Sequence, residues 1–72
     1  MPRPTPQRIA RLKTALHGMT TSVKSELQPK GIYPSLVDTV LSGRVVKWDE
    51  RHDLIIKTAE ARVKREGIIL KD

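Results

Sequence analysis

The chain of 72 residues has no cysteine and no phenylalanine, one tryptophan and one tyrosine. Its first 25 residues carry no acidic side chain. Without cysteine there is no disulfide and no thiolate-bound metal to staple a domain near the lower size limit for folding on a hydrophobic core. His17 and His52 stand too far apart in sequence to suggest a metal site. Stability must then come from compact helix packing, from dimerisation, or from both. One Trp and one Tyr make no stacking platform, which argues against single-stranded RNA as the ligand. No apolar run approaches the about 20 residues of a membrane span, and the N-terminus lacks the apolar centre of a signal peptide. A soluble, intracellular, cytoplasmic protein is the expectation. No nucleophile–base pairing, glycine-rich phosphate loop or metal-ligand spacing is visible. The expectation is therefore no enzyme, no cofactor and no small-molecule substrate.

What is present is positive charge, unevenly placed. Fourteen Lys and Arg against eight Asp and Glu give a net charge of +6. Residues 1–25 hold Arg3, Arg8, Arg11, Lys13 and Lys24, and so contribute +5. Residues 26–47 add +1, and residues 48–72 balance six bases against six acids. A polyanion would be drawn to the N-terminal half, because each neutralised phosphate releases a condensed counterion.

Four helices are predicted. MPRPTP, with three prolines in six residues, reads as a flexible basic arm over 1–5. Thr5 can cap and Pro6 can open helix 1, at about 6–17, whose Ile9, Leu12 and Leu16 share one face. Thr20, Thr21 and Ser22 are each competent caps for a short helix 2 at about 21–28, ended by Pro29 and Gly31. Ile32 is a buried plug. Pro34 opens helix 3, about 34–42, with Val37, Val40 and Leu41 inward and Gly43 closing it. RVVKW supplies a connector with two apolar anchors, and Trp48 packs into the core. Asp49 caps helix 4, about 50–66, whose stripe is Leu54, Ile55, Thr58, Ala59, Ala61 and Val63. His17 sits favourably at a helix C-terminus, and His52 reads as surface. The domain thus covers 6–67 and leaves an apolar tail over 68–72.

The stretch GIYPSLVDTVLSGR at 31–44 resembles the turn and recognition helix of the λ-repressor-like (Cro/CI, XRE-type) helix-turn-helix family. Gly31, Ile32, Ser35, Val37, Val40, Leu41, Ser42 and Gly43 follow the family pattern in register. The likeness extends over most of residues 6–66. Helix 2 departs from it. Leu27 stands where the family has a small residue, and Lys30 precedes the glycine where leucine is usual, with Pro29 beside it. Both departures bear on the interhelix angle and the turn length. The resemblance implies a compact all-α four-helix domain that places helix 3 in the major groove of duplex DNA.

On that frame Tyr33, Ser35, Leu36, Asp38 and Thr39 are the candidates for reading base edges, through hydroxyl, methyl-contact and cytosine-amino chemistry. None is Arg, Lys, Asn or Gln, so direct readout by one subunit is modest. Asp38 has a second possible role, holding Arg44 or Lys47 in place. Phosphate contacts fall to Thr20, Thr21, Ser22 and Lys24 around the start of helix 2, and to Lys30, Arg44 and Lys47 on the flanks. Arg3 of the arm is a possible further contact. Ile56, Val63, Ile68, Ile69 and Leu70 are candidates for a homodimer interface, since the C-terminal part is charge-balanced and carries surplus apolar residues. The expected function is a sequence-specific transcriptional repressor of phage or mobile-element type that occupies its operator as a dimer. Two alternatives stay open at this point. One is an excisionase-like or architectural DNA-binding protein. The other is a protein-interaction module such as an antitoxin or anti-host factor.

Overall fold

The structure, a computed structural model, describes residues 3–68. It contains α1 (Pro6–Ala15), α2 (Thr20–Leu27), α3 (Pro34–Leu41) and α4 (Glu50–Arg65), with no strand among the described residues. Prolines fix two of the starts. Pro6 and Pro34 each take the first helical position, where a missing N–H costs nothing. Thr5 caps α1, its Oγ1 accepting from the Arg8 N–H at 3.2 Å.

The start of α2 departs from expectation. None of Thr20, Thr21 and Ser22 caps it; Met19 holds the cap position and makes no side-chain cap hydrogen bond. A side-chain cap needs an extended backbone, and Met19 at φ −114°, ψ 0° is already half-helical. The reason lies just upstream. α1 stops at Ala15, two residues short of the predicted end, and Gly18 turns the chain at φ +83° straight into α2. The three hydroxyl residues therefore form the first turn of the helix itself.

α2 leads into α3 through a 3-10 turn, Gln28–Lys30, and Gly31. Pro29 has no N–H for a continued α-helical ladder, so the chain tightens instead. Gly31 reverses it at φ +80°, a conformation costly to any residue with a Cβ. Ile32 then drops into the core, as predicted, with its N–H donating to the Leu27 carbonyl at 3.4 Å.

α4 is the central element and packs on α1, α2 and α3. Its buried arc is accordingly wide: His52, Ile55, Ile56, Thr58, Ala59 and Val63. Two corrections follow from that width. Ile56 and Val63, expected on a dimer surface, are 3% and 0% exposed and belong to the core of a single chain. His52, expected on the surface, is 7% exposed. It closes a capping box in which the Asp49 N–H donates to its Nδ1 at 3.0 Å, and its ring lies 5.3 Å from that of the half-buried Trp48. Of the two connector valines only Val45 anchors; Val46 is 93% exposed. Ala61, placed on the stripe by spacing, also faces solvent.

The cap of α4 makes stability depend on acid. The Arg51 guanidinium donates to the Asp49 carboxylate at 3.2 Å and holds its pKa below the usual aspartate value. Partial burial opposes this, while the Arg51 backbone N–H at 2.9 Å and the charges of His52 and Arg51 reinforce it. A carboxylate whose folded-state pKa is depressed stabilises the fold above its unfolded pKa, and that stabilisation is lost as pH falls through the folded value. Asp49→Asn keeps the cap and removes the charge. Thermal melts of both proteins across pH should therefore differ near neutrality and converge below the aspartate range. A gap that stays constant with pH would remove Asp49 as the cause.

Candidate nucleic-acid interface

The ion pairs sort the charges by face. α4 neutralises itself and its neighbours through Arg8–Glu60 (2.6 Å), Arg51–Asp49 (3.2 Å), Lys57–Asp53 (3.0 Å) and Arg62–Glu26 (3.6 Å). Lys64 and Arg65 sit in its last turn, where the helix dipole favours cations. On the α1–α3 side the balance is different. Lys13, Lys30, Arg44 and Lys47 form no ion pair among the described residues. The charge asymmetry of the sequence thus survives folding, with the acids used mainly on α4.

Two of these cations frame a cleft of about 300 Å³ along α3. It is lined by Lys13 of α1, Thr20 of α2, Asp38, Thr39, Leu41 and Ser42 of the α3 region, and Arg44 beyond it. The start of α2 opens here. Because Met19 supplies no side-chain cap, the N–H groups of Thr20 and Thr21 meet no acceptor among the described residues. Free N–H groups, the positive end of a helix and two cations together attract an anion.

The expected base-reading residues are unequal in what they offer. Tyr33 is 68% exposed at the N-cap of α3, and Ser35 and Asp38 are exposed. Leu36 is half-buried against the core and presents only part of its side chain. Thr39 Oγ1 donates to the Ser35 carbonyl at 2.9 Å, and Ser42 Oγ donates to the Thr39 carbonyl at 2.9 Å. Both hydroxyls commit their proton to their own helix and keep acceptor lone pairs for a ligand.

The expected phosphate residues divide as well. Thr20 and Arg44 meet in the cleft, while Thr21 and Ser22 are exposed on the first turn of α2. Lys30 and Lys47 are exposed but do not line the cleft. Lys24 is not free: its Nζ pairs with Asp38 at 3.0 Å, the partner expected to hold Arg44 or Lys47. Arg3 is tied back onto the fold, its Nη2 donating to the Val46 carbonyl at 2.5 Å beside Lys47. Lys13 and Ser42 join the cleft without having been singled out for contact. Their signals were the position of Lys13 off the apolar stripe of α1, and the three-residue step from Thr39 to Ser42.

Of the dimer candidates among the described residues, Ile68 alone is exposed, at 39%, where it lines a shallow groove with Ala10, Arg11, Thr14 and Ala15. Ile69 and Leu70 lie outside the described residues. No helix among the described residues is long and apolar enough to cross a membrane. Comparison with protein-family models, with curated proteins and with solved structures finds no match to this chain.

Proposed function

We propose that the protein binds double-stranded DNA, with α2, the turn over 28–33 and α3 acting as a helix-turn-helix of λ-repressor-like type. α3 enters the major groove, and the cations around it grip the backbone on both sides. The observation that carries this reading is the cleft along α3. There Lys13, Arg44 and Thr20, whose backbone N–H is free, converge next to an exposed polar helix face. The biological role that follows most simply is repression by covering an operator, in the manner of phage and mobile-element regulators. Because one α3 face without Arg, Lys, Asn or Gln reads few bases, two copies on a palindromic site supply the affinity one copy lacks. Among the described residues, Ile68 and the groove it lines offer an apolar surface for that pairing.

Selection from a randomised duplex pool at two salt concentrations tests the proposal. The expected result is an enriched palindrome whose binding falls steeply with salt. Replacing Ser35 and Thr39 together by Ala should then relax the enriched motif while leaving the salt dependence intact. The internal hydrogen bonds of Thr39 and Ser42 favour one second reading, a sequence-tolerant architectural binder. Salt-dependent binding with no enriched motif would select it. No duplex binding at low salt would sink both.

A further inference from the structure

Among the described residues, Asp38 is the one acidic residue lining the cleft that α3 offers to DNA. A carboxylate there repels phosphate, so its presence in a surface otherwise built to attract a polyanion calls for a function. Its two oxygens lie 3.0 and 3.1 Å from Lys24 Nζ, in a pair that bridges α2 and α3. Asp38 remains 61% exposed while Lys24 is 28% exposed. The carboxylate is therefore the outer member of the pair and the ammonium the inner one. The pair as a whole has no net charge with which to displace counterions from a duplex.

We propose that Asp38 is a specificity-determining residue that restrains binding to non-matching DNA. On an arbitrary sequence it masks Lys24 and repels the backbone, and so lowers the sequence-independent part of the affinity. On a matching site a cytosine amino group in the major groove donates to the same carboxylate and compensates the repulsion. Specificity then arises by penalising wrong sequences as well as by rewarding the right one. This inference rests on the DNA-binding reading above.

The test measures binding of a short random-sequence duplex across salt concentrations. Asp38→Asn keeps the shape and removes the charge, which frees Lys24 to meet a phosphate. Its binding should tighten, and its salt slope should steepen by about 0.9. A fourfold rise in salt then weakens the variant about 3.5-fold more than the wild type, by that same slope. Lys24→Gln alone should leave the slope unchanged, and added to Asp38→Asn it should restore the wild-type slope. Glu66→Gln adds the same net charge at the end of α4 and should change nothing. Equal slopes for wild type and Asp38→Asn would overturn the inference, and so would an equal response to Glu66→Gln. Those outcomes leave DNA binding itself standing, whereas a wild type that binds no duplex removes both.

Discussion

Replacing Leu27 by Ala is expected to lower the melting temperature by roughly 10–30 °C. Leu27 is the last residue of α2, has no exposed surface, and accepts the Ile32 N–H through its carbonyl as the chain turns toward α3. Truncating a fully buried Leu costs about 2–5 kcal/mol when the surroundings cannot collapse into the gap. At about 0.05–0.15 kcal/mol per residue, a chain of this length has roughly 4–11 kcal/mol in all. One side chain therefore holds a large share of it. The same change at Leu36, which is half-buried, should cost far less. Leu27 sits directly before the 3-10 turn that leads toward α3. If Leu27→Ala proves nearly neutral, the surrounding core has collapsed into the gap. A large loss, measured by thermal or denaturant unfolding, means that the core around Leu27 cannot close onto the smaller side chain.

Much of the architecture was legible because it is written in residues with narrow roles. Pro6 and Pro34 can begin a helix but not continue one, and Asp49 is a strong cap, so three of the four starts were read to the residue. The start of α2 was not, because its cap depends on backbone angles at Met19 that no side chain announces. His52 was misplaced for a related reason. In the charged run Glu50–Asp53 it looks like surface, and only its place three residues after Asp49 marks the reciprocal cap that buries it. Ile56 lies outside the expected stripe of α4, and Val63, on that stripe, was also assigned to a dimer surface. A helix that packs on three others has no surplus over that arc. The candidate site was legible as a list of residue types and much less as an arrangement. Lys24 and Asp38 are 14 residues apart on different helices, so nothing local could reveal that one neutralises the other. The cleft likewise needs α1, α2 and α3 together before Lys13 meets Thr20 and Arg44.

Replacing Lys13, Lys30, Arg44 and Lys47 together by Gln should reduce duplex affinity by about a thousandfold near physiological salt. The figure comes from counterion release: if each of the four neutralises one phosphate, the salt slope falls by about 3.6, or roughly fivefold in affinity per contact near 0.15 M. All four lack an ion pair among the described residues, so removing them strands no buried acid and should leave the fold intact. Net charge alone predicts the same loss from any four cations, so the comparison that decides is Arg51, Lys57, Lys64 and Arg65, all on α4, replaced by Gln in the same way. Either set removes four positive charges and takes the chain from +6 to +2. Long-range attraction falls alike for both, but phosphate contacts are lost only where the protein touches the backbone. A large fall for the first set and a small one for the second, by anisotropy titration at several salt concentrations, places the DNA against α3 and the ends of α1 and α2. Equal falls would reduce the binding to general electrostatic attraction and leave the cleft along α3 without a ligand.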